Sequence, residues 1–149
     1  MKIIVDTNII FSVLLNSGNT IGDLVFNSDP AFEFYSCSYM QQEILKHWEK
    51  LKAISKLTDE QLKTSYHNVL IKIRFINEEL IARKTWLEAE QMVKDIDIDD
   101  IDFVALTKHL SGHLWTGDKE LHAGLKNRGF KKVINTQELL DLRKKRLNE

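Results

Sequence analysis

Five aspartates lie within eight residues near the middle of this sequence, and a sixth follows further along the chain. They are Asp95, Asp97, Asp99, Asp100 and Asp102, with Asp118 behind them. Carboxylates this close repel one another, so such a cluster is either a solvated surface or a site for a cation. Mg²⁺ and Mn²⁺ are bound by a few carboxylates together with water. The stretch 95–118 is therefore the first candidate for chemistry, provided that distant acids reach the same place.

A calcium loop of the EF-hand type is excluded within this stretch. The alternating Asp95, Asp97 and Asp99 match the first half of such a loop. However, Asp100 stands where the loop requires glycine, and Leu106 stands where it requires a bidentate glutamate. The cluster is thus interpreted as a site for a smaller cation or as a solvated run.

Short β-branched or alternating segments lie between longer segments with helical periodicity. The pattern predicts strands at 2–5, 32–36, 113–116 and 132–134, and a change from helix to strand somewhere within 71–76. It predicts helices at 9–15, 21–27, 39–54, from 58 onward, 84–94, 101–110, 118–127 and 139–147. Alternating strands and helices indicate an α/β fold with a mainly parallel central sheet and helices on both faces. We expect one domain over residues 1–149.

Two separate aspartates follow predicted strands directly, at the edge where open parallel sheets bind ligands. Asp6 ends the first strand, and Asp118 follows the fourth strand by two residues. They share one edge if their strands are parallel. Asp99 and Asp100 begin the helix that leads into the fourth strand, and the sequence leaves open whether they reach the same edge. Aspartate is also a preferred helix N-cap, and for Asp6 or Asp118 alone capping is the simpler interpretation.

Composition and charge narrow the classes of protein further. The chain has 149 residues, 43 % hydrophobic content and a net charge of −1, which argues against a protein that coats nucleic acid. Cys37 is the only cysteine, which excludes an internal disulfide.

Charge is distributed unevenly along the chain, with seven acids in 88–102 and eight bases in 126–146. This asymmetry suits a metal-dependent enzyme that acts on a polyanion. The alternative interpretation is a solvated helix end and a polar tail. We find no signal peptide or membrane-spanning run and expect a cytoplasmic protein.

Four motifs, in order and spacing, resemble the PIN domain, the fold of VapC-type toxin ribonucleases and related nucleases. The motifs are IIVDTNI at residues 3–9, QEI at 42–44, DDIDFVAL at 99–106 and LWTGDKEL at 114–121. Each motif is weak by itself, whereas the ordered set covers nearly the whole chain and is fairly specific.

The resemblance implies an acidic quartet around one or two Mg²⁺ or Mn²⁺ ions. Its members would be Asp6, Glu43, Asp100 and Asp118, supported by Asn8 and Thr116, with Asp102 as a further acid at the site. Helical phase does not choose between the adjacent Asp99 and Asp100, and motif spacing selects Asp100 as the ligand and Asp99 as the cap. Without the resemblance, Glu43 would be interpreted as a surface acid beside the apolar face of its helix.

The resemblance also implies a function. We expect metal-dependent hydrolysis of RNA phosphodiester bonds by the toxin of a toxin–antitoxin pair, with a cognate antitoxin and a homodimeric state. Lys119, Lys126 and Arg128 are candidates for contacts with the RNA backbone, along with the basic cluster 143–146. The alternative is a catalytically silent PIN-like module that binds protein or RNA, against which an intact quartet argues.

Overall fold

Five parallel strands form the centre of the structure, a computed structural model that describes residues 1–148. The strands are β1 (Lys2–Val5), β2 (Glu33–Cys37), β3 (Ile73–Ile76), β4 (His113–Trp115) and β5 (Val133–Ile134). They pair in the order β3-β2-β1-β4-β5, and each pair within the described residues is parallel. The predicted α/β fold with a parallel sheet is confirmed. Residue 149, the last of the predicted domain, lies outside the described residues.

Helices connect the strands and cover both faces of the sheet. They are α1 (Thr7–Leu15), α2 (Thr20–Phe26), α3 (Tyr39–Lys46), α4 (Trp48–Ser55), α5 (Asp59–Lys72), α6 (Arg83–Val93), α7 (Ile101–Leu110), α8 (Lys119–Asn127) and α9 (Thr136–Leu147), with 3₁₀ turns at Glu78–Leu80 and Ile98–Asp100. Helices α1, α2, α4 and α5 form one packed group, and α6, α7 and α8 form another. Two groups follow from the strand order, because right-handed connections change face where the order reverses at β1.

Within residues 1–148, no single helix is both long and apolar enough to span a membrane. Helices α1 and α2 reach the required length and apolarity only when taken together, and the chain bends by 100° between them.

The predicted helix 39–54 is wrong as a continuous element. It is two helices, α3 and α4, that meet at His47, whose φ of −99° and ψ of 15° lie outside the helical range. The apolar positions Met40, Ile44 and Leu51 are buried on both sides of the break, so periodicity alone did not reveal it. Ser38 stands at the N-cap position of α3 but does not cap it through its side chain, because its hydroxyl donates a hydrogen bond to Glu78 Oε2 at 2.7 Å instead.

The centre of the sheet brings the ends of two strands together. Ile3, Ile4 and Val5 of β1 are fully buried, as expected for a central strand covered on both faces. In the β1–β4 pairing, Val5 lies opposite Trp115. Residues that follow these two strands are therefore neighbours at the carboxyl edge. Helix α7 precedes the parallel strand β4 and begins at that same edge.

Gly112, just before β4, lies where a side chain would clash with β1. A Cβ atom there would lie 2.5 Å from Ile4 Cδ1 and 2.8 Å from the Lys2 carbonyl oxygen. We expect Gly112→Ala to lower the free energy of unfolding by about 1–3 kcal/mol, because the overpacked strand must shift. Gly117→Ala is the matched control, since a Cβ there meets nothing within 4 Å. Chemical denaturation of both variants tests this, and equal stability would contradict the described packing.

Candidate metal centre

Asp6 is a buried carboxylate at the end of β1. Its side chain is only 4 % exposed, and both of its oxygens accept hydrogen bonds. Oδ1 accepts from the Ile9 backbone N–H at 3.0 Å, which caps α1, and Oδ2 accepts from the Thr116 hydroxyl at 2.7 Å. Burial raises the pKa of Asp6 and the nearby Asp118 carboxylate adds to the increase, while these hydrogen bonds oppose it.

Thr116 joins the ends of β1 and β4 through one buried hydroxyl. The hydroxyl donates to Asp6 and accepts from the Asp118 backbone N–H at 3.1 Å. Asp118 in turn caps α8, because its Oδ1 accepts from the backbone N–H groups of Glu120 and Leu121 at 3.0 and 3.1 Å. The positions of Asp6 and Asp118 are thus set by the same side chain.

Three half-buried aspartates converge in front of this pair of strand ends. Asp97, Asp100 and Asp118 each place one carboxylate oxygen within 4.8 Å of the other two. Asp97 caps the 3₁₀ turn by accepting from the Asp99 N–H at 3.0 Å, and Asp100 ends that turn. Residues three apart on a 3₁₀ turn eclipse one another, which brings the Asp97 and Asp100 side chains to one side. Asp99 between them is exposed.

Asp97 was not predicted as a member of the quartet. It caps the 3₁₀ turn, and the same geometry presents its carboxylate to Asp100 and Asp118. The spacing of three between Asp97 and Asp100 is the signal that could have identified Asp97, because residues three apart lie on one side of both an α-helix and a 3₁₀ turn.

The electrostatics of the cluster favour a bound cation. The pKa of Asp100 is raised to about 7, first by burial and then by the negative charges of Asp97, Asp6 and Asp118. A divalent ion would relieve this repulsion, and carboxylate oxygens are the ligands that Mg²⁺ and Mn²⁺ prefer. Oxygens on opposite sides of a Mg²⁺ ion lie about 4.2 Å apart, so small side-chain movements would suffice to close the site. The residues present fit such an ion.

Glu43, the fourth member of the predicted quartet, is not among the three aspartates that converge. It lies half-buried on α3, with its Oε2 3.5 Å from His47 Nε2. Helix α3 does approach the site, because Met40, one helical turn before Glu43, accepts a hydrogen bond from the Thr7 hydroxyl at 3.2 Å through its sulfur. The structure therefore places Glu43 near the same edge and pairs it with a histidine.

The other two predicted supporting residues do not belong to the cluster of three. Burial and the charge of Glu78 raise the pKa of Asp102, while a hydrogen bond with Tyr39 lowers it, so Asp102 belongs with Tyr39 and Glu78 at the ends of β2 and β3. Asn8 is exposed on the first turn of α1 and lines a groove between α1 and α4. Among the predicted supporters, Thr116 is the one that contacts the acids directly.

Two of the three basic side chains predicted to contact RNA have partners within the protein. Lys126 Nζ lies 3.2 Å from Glu138 Oε2. Arg128 donates to the backbone oxygens of Gln91 and Met92 at 3.1 and 2.9 Å, at the C-terminal end of α6. Lys119, by contrast, is exposed directly beside Asp118 at the start of α8.

Comparison with known proteins places these observations in a family. The family model described as PIN domain matches residues 4–140, which include Thr116, the predicted quartet and Asp97. A search of curated proteins finds no match to the chain. The family match begins within β1 and includes β2 to β5, so it concerns most of the fold and not a local motif.

Replacing Thr116 tests the hydroxyl that joins the two strand ends. Thr116→Val leaves Asp6 buried without this donor, so we expect the free energy of unfolding at neutral pH to fall by about 1–3 kcal/mol. Thr116→Ser keeps the hydroxyl and is the control. Chemical denaturation compares the three proteins. If the valine variant is as stable as the serine variant, the hydrogen bond to Asp6 does not matter.

The raised pKa of Asp100 predicts how stability changes with pH. Because the pKa in the folded protein is about 7 and the ordinary value is 3.8, the folded state holds more protons between these values. The metal-free protein should therefore lose stability as pH rises through this range, and Asp100→Asn should lose less. Thermal unfolding between about pH 5 and 8 measures this, with the exposed Asp99→Asn as control. An Asp99→Asn profile as flat as that of Asp100→Asn would contradict the assignment.

Proposed function

The chain belongs to the PIN-domain family, and from that membership we propose that it is a metal-dependent endoribonuclease that hydrolyses RNA phosphodiester bonds. PIN domains are generally metal-dependent nucleases. The observation that carries the proposal is the convergence of Asp97, Asp100 and Asp118 beside the buried Asp6. This site lies at the carboxyl edge between β1 and β4, where the strand order reverses and open sheets bind ligands.

The acids would divide the work of the site by their surroundings. The half-buried carboxylates of Asp97, Asp100 and Asp118 would hold Mg²⁺ or Mn²⁺ directly. Both oxygens of Asp6 already accept hydrogen bonds. Asp6 would therefore contribute negative charge from the buried side of the site and could ligate the ion through Oδ2. Glu43 completes the predicted quartet after rotation away from His47. A bound ion would lower the pKa of a coordinated water and offset negative charge at the phosphate.

Protonation at Asp100 has a consequence for the reaction. Its pKa of about 7 means that near neutral pH the metal-free site is partly protonated. Cation binding would then displace a proton from Asp100, and the affinity for the ion would increase with pH. The exposed Lys119 beside Asp118 would contact the substrate backbone without selecting a sequence.

Roles beyond the chemistry remain predictions from the resemblance. A toxin role, a cognate antitoxin, a homodimer and a cytoplasmic location are proposed on that basis. Co-purification of the chain with the product of a neighbouring gene would support the first two, and sedimentation would measure the third.

The proposal predicts Mn²⁺-dependent cleavage of RNA by the pure protein. Loss of a carboxylate that ligates the ion should lower the cleavage rate more than loss of a supporting residue does. We therefore expect the cleavage rate of Asp100→Asn and of Asp118→Asn to fall on the order of a hundredfold or more. Asp99→Asn is the matched control and should retain activity. Single-stranded and structured RNAs should both be assayed. Absence of cleavage together with absence of Mn²⁺ binding would instead favour a silent binding module.

Two further variants compare Asp97, which the fold brings to the cluster, with Glu43, which the motif suggests as a ligand. We expect Asp97→Asn to weaken Mn²⁺ binding, measured by titration calorimetry, by at least about tenfold. Glu43→Gln provides the comparison. A large effect of Glu43→Gln and none of Asp97→Asn would mean that Asp97 is only a cap.

A further inference from the structure

A groove between α1 and α4 opens beside the candidate metal centre. It encloses about 380 Å³, and its lining includes Asn8, Phe11, His47, Lys50 and Ile54. Asn8 is two residues beyond Asp6 on the chain, and His47 is paired with Glu43. The groove therefore lies next to Glu43 and to the first turn of α1, which Asp6 caps.

The groove offers two rings and an apolar floor. The rings of Phe11 and His47 lie edge to face, with centroids 6.0 Å apart and an angle of 77° between their planes. This arrangement leaves ring surface available to a third flat group. Ile54, whose side chain is 56 % exposed, adds apolar surface to the groove.

The rim of the groove carries polar and positive groups. Lys50 lies one helical turn after His47 and is exposed. The exposed Asn8 side chain has both a donor and an acceptor, which can pair with the edge of a base. Flat apolar walls with an amide and an ammonium group at the rim match a nucleotide better than they match an apolar peptide.

We propose that this groove takes an unpaired nucleobase next to the phosphodiester that is cleaved. The inference rests on the proposed nuclease function and deepens it, because it makes the substrate a single-stranded segment. The base would stack against Phe11 or His47, and Lys50 would contact a neighbouring phosphate. A cavity of 380 Å³ lies within the range of small-ligand sites, and a base held in a duplex could not enter it.

Two readouts test the groove. The first is cleavage, with Mn²⁺, of a short single-stranded RNA whose cut position has been mapped, compared with RNAs that are abasic at either flanking nucleotide. Loss of the base on one side should reduce kcat/KM about tenfold, the size expected for base–aromatic stacking. In Phe11→Leu this penalty should shrink towards none. Phe26→Leu, at a half-buried phenylalanine outside the groove lining, is the matched control and should keep the full penalty.

The second readout needs no hydrolysis. RNA carrying the fluorescent base 2-aminopurine at the same flanking position should be quenched on binding to the wild type and much less quenched on binding to Phe11→Leu. Lys50→Gln should weaken binding and reduce its salt dependence, whereas Lys46→Gln, exposed on α3, should not.

The outcomes separate this inference from the proposed function. Cleavage of base-containing and abasic RNAs at equal rates would contradict base binding in the groove and would leave the proposed nuclease function unaffected. Quenching that depends on Phe11 without cleavage would support the groove and count against hydrolysis. If Phe11→Leu and Lys50→Gln change neither readout, the nucleobase is excluded, and a protein segment becomes the occupant to examine.

Discussion

The hydrogen bond from Thr116 to Asp6 is the contact on which the site depends. It spans the junction of β1 and β4, the two strands that meet where the order of the sheet reverses. The same hydroxyl accepts from the Asp118 backbone, so two acids far apart in sequence are held by one small side chain. That hydroxyl can do so only because parallel pairing sets Val5 opposite Trp115 and thereby places the following residues side by side.

The acids at this edge repel one another and are partly buried, and the packing of the fold holds them in place. Burial and mutual repulsion raise the pKa of Asp6 and of Asp100, which means that their ionised forms are destabilised. The opposing contributions are the buried residues 3–5 of β1, the buried residues 103–107 of α7, and the caps that Asp6, Asp97 and Asp118 provide. The capping and metal-binding interpretations of these aspartates are therefore not alternatives, because capping is what orients the side chains.

Some of the basic residues are paired within the fold, whereas others are exposed. Arg128 holds the end of α6, and Arg143 donates to Asp23 Oδ2 at 2.7 Å, so part of the predicted basic flank is used within the fold. Lys119, beside Asp118, and Lys50, at the groove between α1 and α4, are exposed instead. Net charge near zero conceals this arrangement, since the relevant charges are local.

Strand and helix types, the parallel sheet and its family could all be predicted from sequence, because hydrophobic periodicity and strand-end motifs are local properties of the chain. Asp6 and Asp118 followed from the same source, as residues directly after strands. Apart from what the motif resemblance implied for Asp100, its meeting with Asp6 and Asp118 and the addition of Asp97 were decided only by the tertiary structure. The physical reason is that both depend on the 3₁₀ turn before α7 and on strand register, and register is set by packing between segments distant in sequence.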